Sequence, residues 1–311
     1  MATAATGPSE ETKTSRAGIR ARRFLGRLPL HTTIVLLALL WSIPTIALIV
    51  SSFRPPADIA SSGWWNGLTA PWDWTLDNYE AVVNQRGMGR AFVNSVIITV
   101  PSTVLVILVA ALAAYAFAWM SFPGRNLLLL VMVGLLVVPL QMTLIPVLRL
   151  YVQIGIDVEV PLIGGNVFGT SSYPGIWVAH AAYGLPFAIY LLRNFFGGLP
   201  RDLVEAALLD GASDLGVFFR IILPLSMPAI AALAIFQFLW TWNDLLIALV
   251  FLGDPDLAPM TLRITNLVSS FGGNYQLLTA AAFVSMALPL VIFFALQRYF
   301  VQGILSGAVK G

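Results

Sequence analysis

Six long apolar runs constrain the fold of this chain more than any other feature. None contains Asp, Glu, Lys or Arg, and they are Leu28–Val50, Ala91–Met120, Leu127–Leu148, Tyr173–Leu192, Ile221–Asn243 and Leu277–Leu296. About 20 helical residues cross the roughly 30 Å apolar core of a bilayer. Charged residues make up only 10% of the 311-residue chain, against roughly 25% in soluble domains. Continuous apolar runs favour helices, because barrel strands alternate apolar and polar residues. The sequence therefore predicts an all-α membrane protein with six transmembrane helices.

Lysine and arginine are distributed unevenly between these runs. If residues 1–27 are cytoplasmic, the inside segments hold twelve of the seventeen: Lys13, Arg16, Arg20, Arg22, Arg23, Arg27, Arg125, Arg193, Arg201, Arg220, Arg298 and Lys310. The outside segments hold five, which are Arg54, Arg86, Arg90, Arg149 and Arg263. Cytoplasmic loops of membrane proteins carry the excess of these residues. Both termini are therefore predicted to be cytoplasmic, and an even number of spans requires that they share a side.

Residues 1–27 form a basic tail that is too polar to build a core. We expect a disordered cytoplasmic segment whose arginines either only set the topology or also lie near anionic lipid headgroups. A cleaved signal peptide is the alternative for the first run. That run is longer than the usual segment of about 7 to 15 residues, and no small-residue cleavage site follows it. Residues 28–300 then form the membrane domain, and residues 301–311 a cytoplasmic C-terminal tail.

The predicted outer loops offer few candidate functional residues. The first, Ser51–Arg90, contains Trp64, Trp65, Trp72 and Trp74. These rings form either an interfacial aromatic belt or a docking surface for an outside partner. The acidic residues of the second loop, Tyr151–Ser172, and of the third, Leu252–Gln276, are Asp157, Glu159, Asp254 and Asp256. Neither loop has metal-ligand spacing, and a chain with two histidines and no cysteine is not expected to hold a metal.

The cytoplasmic segment Arg193–Arg220 differs from the other loops because its pattern is helical. Pro200 suits the first position of a helix, and acidic residues follow it in the first turn. The apolar residues that share one face at helical spacing are Val204, Ala207 and Leu208. The segment is therefore predicted to contain an amphipathic helix.

Gly211 ends this helix, because a glycine permits a sharp change of direction. A second short helix, Ala212–Phe219, is predicted to lead into the fifth span. Two short helices at an angle suit docking into a groove on a soluble partner. A helix lying on the lipid surface is the alternative, but it would carry Lys and Arg on its polar face. The polar residues between Asp202 and Asp214 are mostly acidic instead.

A cluster of polar and aromatic residues lies at the end of the fifth run and directly after it: Trp240, Trp242, Asn243 and Asp244. An ionisable residue at the end of a span is a functional candidate. The cluster either lines a water-filled cavity that binds a polyhydroxylated solute, with the tryptophan rings against sugar faces, or forms an interfacial belt. Both interpretations stay open.

Several kinds of chemistry are missing. Lys13 and Lys310 are the only lysines, and neither stands in a phosphate-binding Gly-x-x-x-x-Gly-Lys-Ser/Thr loop. A single membrane carboxylate can form neither the pair of an aspartyl protease nor the relay of a proton-coupled transporter. No catalytic residue is predicted. Energy for transport would have to come from a separate ATPase that acts through Arg193–Arg220.

The same segment carries a recognisable signature. Glu205, Ala206 and Ala207, followed after three residues by Gly211 and after nine more by Ile221-x-Leu223-Pro224, resemble the EAA motif of bacterial ABC importer permeases. Supporting stretches are Leu185–Phe187, Leu191–Phe196, Thr241–Asp244, Gln297–Gly303 and Gly307–Gly311. The resemblance covers nearly the whole chain beyond the tail. It is greatest to the shorter, six-span subunit of the maltose-type carbohydrate permeases.

This resemblance implies a type I ABC importer permease fold, also called MetI-like. The residues implied to enter a cleft of the ATPase are Glu205, Ala206, Ala207, Asp210 and Gly211. The C-terminal residues implied to approach the ATPase dimer are Gly303, Gly307 and Lys310. The third outer loop, Leu252–Gln276, is implied to reach into a solute-binding protein.

The implied partners are a homologous second permease subunit, two nucleotide-binding ATPase subunits, an extracytoplasmic solute-binding protein or lipoprotein, and the bilayer. ATP and Mg²⁺ are used by the ATPase, so this chain is expected to bind no cofactor, and no nucleic acid is expected. The implied solute is a sugar such as an α-glucoside or oligosaccharide. Alternatives are a glycerophosphodiester, polyol or peptide, or an ATPase-independent channel, insertase or membrane enzyme.

Overall fold

The computed structural model describes the backbone of residues 10–154, 169–268 and 274–308, and the side chains of residues 28–153, 169–267 and 274–297. Every regular element in these ranges is helical, which confirms the predicted all-α class. The chain divides after Thr75 into two units.

The first unit contains a long helix and the folded part of the predicted first outer loop. Helix α1 is Glu10–Phe53, and its apolar part, Leu28–Phe53, is long enough to cross a membrane. Residues 10–27 of the expected disordered tail are helical backbone, since alanine and arginine are strong helix formers. Residues 1–9 lie outside the described residues. The loop contains α2 (Pro56–Ser61), α3 (Asn66–Thr69) and a 3₁₀ turn (Pro71–Asp73).

A buried guanidinium organises this loop. Arg54 is only 5% exposed, and it donates hydrogen bonds to the carbonyls of Asp58 and Gly63, both at 2.9 Å. Carbonyl acceptors satisfy the charged donor where water is excluded. Of the four predicted tryptophans, Trp65 and Trp72 are the most exposed, at 60% and 77%, as either a belt or a docking surface would require.

The second unit contains the remaining helices. They begin with α4 (Asp77–Glu80), a π-helical turn (Ala81–Gln85), α5 (Met88–Trp119), α6 (Arg125–Leu135), α7 (Leu140–Ile154), α8 (Tyr173–Gly197) and α9 (Arg201–Leu209). They continue with α10 (Asp214–Val217), a π-helical turn (Phe218–Ile222), α11 (Leu223–Leu225), α12 (Met227–Trp242), α13 (Leu246–Phe251), a 3₁₀ turn (Pro255–Leu257), α14 (Met260–Val268) and α15 (Tyr275–Ala308).

Helices α5, α8 and α12 form the centre of this unit. Helix α5 packs along α8, and α12 packs against both α5 and α15. The buried contacts of α5 and α8 include the small residues Ala110, Ala114, Ala181 and Ala188. Small side chains let helix backbones approach closely, which is how helices associate where lipid removes the hydrophobic driving force.

Two of the six predicted spans are bent rather than continuous. Four apolar helices are long enough to cross a bilayer: Leu28–Phe53, Met88–Trp119, Tyr173–Gly197 and Tyr275–Gln297. The third predicted run divides into α6 and α7, which meet at 111°, and the fifth bends by 75° before α12. Proline accounts for both breaks: Pro139 is the last residue before α7, Pro228 is the second residue of α12, and each lacks the N–H that a continuous helix needs. Six spans result only if each bent pair crosses once.

Candidate coupling surface and solute pathway

The loop between α8 and α12 contains the predicted helix as α9. Pro200 is extended (φ −58°, ψ 127°) and precedes α9 instead of forming its first residue. Asp202 lies in the first turn, where a carboxylate stabilises the helix dipole. Ser213 then caps the second short helix, α10, by accepting a hydrogen bond from the Gly216 N–H at 3.2 Å. That helix begins at Asp214, two residues later than predicted.

Gly211 makes the turn that the sequence predicts. Its φ of +83° lies in the left-handed region, which side chains strain to adopt. The Gly211 N–H donates to the Leu208 carbonyl at 3.1 Å, and the Ala212 N–H donates to that of Ala207 at 2.9 Å. This pair of bonds is a Schellman motif, and it satisfies carbonyls that the end of α9 would leave unpaired. The angle between the two short helices is therefore set by backbone hydrogen bonds.

Helix α9 turns one face inward and the other outward. Val204 is buried, and Ala207 packs against the core formed with α5 and α8. The other implied coupling residues, Glu205, Ala206, Asp210 and Gly211, are all exposed. Leu208, predicted on the apolar face, is 45% exposed.

The exposed face of α9 also carries leucines that the sequence analysis did not select. Leu209 is 89% exposed and Leu203 is 47% exposed. Together with Ala206 they recur every three residues, and this spacing could have revealed a second apolar face. An exposed face with leucines beside carboxylates is suited to docking against a protein surface.

Asp244 acts as a structural cap between α12 and α13. Its Oδ2 accepts hydrogen bonds from the N–H groups of Ile247 at 3.0 Å and Ala248 at 3.1 Å. The Thr261 hydroxyl donates to the backbone carbonyl of Asp244 at 2.7 Å. Nε2 of His180 lies 4.0 Å from Oδ2 of Asp244. Asp244 therefore joins α8, α13 and α14.

The structure separates the other three residues of the predicted polar cluster. Trp242 is buried, stacks on Phe238 with ring centroids 5.5 Å apart, and donates from Nε1 to the Ser285 carbonyl at 3.0 Å. Asn243 is exposed and donates back to the carbonyl of Leu239 at 2.8 Å. Trp240 lines a cavity at the bend between α6 and α7. The four side chains therefore have different surroundings.

That cavity has a volume of about 490 Å³ and lies where α6 and α7 bend apart. Leucine, valine and proline of the bend form one wall, and Tyr183 and Phe187 of α8 form another. The hydroxyls of Thr143 and Tyr183 lie 3.1 Å apart within it. Aromatic faces with a few hydroxyls are typical of small-molecule sites. Sequence reasoning missed these residues because the bend that exposes them is not visible in a continuous apolar run.

The predicted third outer loop is tied to the bundle through Asn94. Its Nδ2 donates to the carbonyls of Asp256 at 2.8 Å and Ala258 at 3.1 Å, and its Oδ1 accepts from the Tyr173 hydroxyl at 2.8 Å. Arg90 adds an exposed ion pair to Asp256 at 3.0 Å. The first part of the loop is thus held in one position, while residues 269–273 lie outside the described residues.

Some predicted positions cannot be placed in a site. Gly303 and Gly307 lie in the helical backbone of α15. Lys310 lies outside the described residues, as do Asp157 and Glu159.

Comparison with known proteins identifies relatives over nearly the full length. The osmoprotective compounds uptake permease protein GgtD of Synechocystis is 54% identical over 94% of this chain and 95% of its own length. The alpha-glucoside transport system permease protein AglG of Rhizobium meliloti is 43% identical over 90% of this chain and 96% of its own.

A crystal structure of a bacterial ABC transporter that imports the polysaccharide alginate has the same fold. Its TM-score is 0.59 at 17% identity, over 94% of this chain and 100% of that one. Residues 89–306 match the binding-protein-dependent transport system inner membrane component. The chain belongs to this family of transporter membrane subunits.

Proposed function

We propose that this chain is one of two membrane subunits of a sugar importer in the bacterial plasma membrane, with α-glucosides as the solute class. The α-glucoside permease relative supports the solute class. Family membership identifies the chain as a transport subunit, and ATP hydrolysis belongs to a separate subunit. The observation that carries the coupling role is the exposed face of α9 with its Schellman turn at Gly211.

In the proposed complex this chain pairs with a second, homologous permease. The exposed residues of α9 dock into one of the two ATPase subunits, which use ATP and Mg²⁺, with the tail from Gly303 to Lys310 nearby. A solute-binding protein delivers sugar at the opposite face, next to the Asn94-anchored loop. Six spans place both termini in the cytoplasm, with each bent pair crossing once. Because α9 is fixed to α5 and α8 through Val204 and Ala207, its displacement moves the bundle as a unit, which links two global states.

We propose the cavity between α7, α8 and α12 as part of the solute pathway. Trp240 and Tyr183 offer faces for sugar rings, and the Thr143 and Tyr183 hydroxyls offer hydrogen bonds. Asp244 and Trp242 support the walls through their cap and their packing, without reaching the solute.

A second candidate solute is an osmoprotective compound, because the relative with 54% identity is named for that uptake. The coupling to the ATPase is the same for either solute, and only the lining of the solute pathway distinguishes an α-glucoside from an osmoprotective compound.

The test is uptake by the complete complex. Purification of the tagged chain from its native membrane in mild detergent, with mass spectrometry, should recover an ATPase, a second permease and a binding protein. The complex in proteoliposomes with internal ATP should then take up a labelled α-glucoside, and an excess of unlabelled osmoprotectant should not compete. Competition by the osmoprotectant would favour the second candidate. Recovery of the folded chain alone would overturn the importer.

A further inference from the structure

A second cavity, of about 320 Å³, lies beneath α9. The end of α5, the start of α6, the end of α8 and one face of α9 form its walls, and its polar lining consists of Trp119, Arg125, Arg201 and Glu205. It shares Glu205 with the exposed face of α9 and is distinct from the cavity at the α6–α7 bend.

Three side chains that line this cavity have N–H groups without an acceptor in the described residues. Arg125 donates hydrogen bonds to the carbonyls of Met120 at 3.2 Å and Ala118 at 3.4 Å. A guanidinium has five N–H groups, so others are left to donate. Arg201 makes no hydrogen bond or ion pair with the described residues. The Nε1 of Trp119 is buried with no partner in that same part of the chain. A buried donor without an acceptor is costly, so an absent acceptor is expected there.

The charge of the lining favours an anion. Two guanidinium groups face the cavity with one carboxylate, Glu205, and no ion pair within 4.0 Å joins that carboxylate to either arginine in the described residues. Guanidinium donors match the geometry of phosphate oxygens and form strong charge-assisted hydrogen bonds with them. A group with several acceptor oxygens could satisfy both arginines and the indole together.

The neighbouring surface is apolar. Leu128, one helical turn after Arg125 on α6 and on the same face, is 50% exposed. An acyl chain lying on this leucine would bring its headgroup to Arg125. Basic pockets between membrane helices on the cytoplasmic side are known to bind phospholipid headgroups.

We propose that this cavity binds a phosphate group, carried by an anionic phospholipid or supplied as free phosphate. Its cytoplasmic location rests on the topology proposed above. A bound phosphate would bridge α6 to α9 and so join the lipid surface to the coupling helix.

Native mass spectrometry of the purified complex tests this site. The complex is incubated with phosphatidylglycerol or, in parallel, with phosphatidylcholine. Wild-type protein should retain phosphatidylglycerol preferentially. Arg125→Gln and Arg201→Gln should each reduce that retention about tenfold, since hydrogen bonds to charged groups are strong. Trp119→Phe keeps the ring but lacks the N–H, and a loss of about threefold is expected from one neutral donor. Arg220→Gln removes a charge outside the lining and should change nothing.

A second arm separates the two sources of phosphate. Millimolar inorganic phosphate is added to the complex in phosphatidylcholine nanodiscs, and thermal stabilisation is measured. Stabilisation that Arg125→Gln abolishes, without selective lipid retention, would assign the site to free phosphate. Equal lipid retention in wild type and all variants, with no phosphate stabilisation, would overturn the proposal. The readouts are bound mass and melting temperature, so this failure would leave the transport proposal unaffected.

Discussion

The side-chain amide of Gln237 on α12 lies directly against Gly184 on α8. A Cβ built at Gly184 would lie 2.8 Å from Oε1 and 2.9 Å from Nε2 of Gln237. Gln237 is only 2% exposed, and its Oε1 has no partner in the described residues. Close approach of α8 and α12 thus depends on a residue without a side chain.

Gly184→Ala is expected to destabilise the complex by about 1–3 kcal/mol, because the methyl group overpacks a buried contact. In a Gln237→Ala background the same change should cost much less. Unfolding of the four proteins of this double-mutant cycle gives the coupling directly. Gly134→Ala is the control, since open space surrounds that helical glycine. If the stability losses of the two single variants simply add in the double variant, the contact between Gly184 and Gln237 is contradicted.

Gly211→Asp should uncouple ATP hydrolysis from transport while the bundle stays folded. The substitution strains a left-handed residue and places an unpaired charge at the proposed docking surface. Sugar-stimulated ATPase activity of the reconstituted complex is the measurement. Gly87→Asp is a matched control, because Gly87 also has a positive φ, +69°, and open surroundings. Full stimulation of ATPase activity by sugar in the Gly211 variant would rule out the coupling role of α9.

Asp244→Ala should lower the free energy of unfolding by about 1 kcal/mol, the usual value of a helix N-cap. Asp244→Asn keeps a side-chain oxygen for the Ile247 and Ala248 N–H groups and should cost much less. Chemical denaturation of both variants distinguishes the cap from a requirement for charge. Similar large losses in both would indicate that the negative charge facing His180 is what matters.

Asn94→Leu should release the third outer loop, because the carbonyls of Asp256 and Ala258 lose their donor. Each unsatisfied buried group costs about 1–3 kcal/mol. Hydrogen exchange over residues 252–267 should accelerate, and exchange in α9 should not. Arg90→Gln breaks an exposed ion pair near the same loop and is expected to have little effect. Equal acceleration in both variants would argue against Asn94 as the anchor.

The absence of cysteine makes single-cysteine labelling a direct test of topology. Cysteine at the exposed position Asp73 should react with a membrane-impermeant maleimide in intact cells. Cysteine at the exposed position Asn126 should react only after permeabilisation. Reaction of Asn126→Cys from outside would refute cytoplasmic termini with six spans.

Much of the architecture follows from sequence. The apolar runs locate α5, α8 and the start of α15 to within a few residues, because a helix long enough to span a bilayer needs only its own composition. The turn at Gly211 is equally local, since glycine and its neighbours suffice for a Schellman motif. The EAA spacing identifies the family for the same reason, as its residues lie within one contiguous segment.

Tertiary structure alone decided which side chains share a space. Trp240 and Trp242 are two residues apart, yet one lines a cavity and the other is buried against Phe238. The angle at the α6–α7 bend opens the larger cavity, and the meeting of four helix ends brings Trp119, Arg125 and Arg201 together. Sequence patterns report the periodicity of one helix. They do not report the crossing of two helices, and the contact between Gly184 and Gln237 exists only at such a crossing.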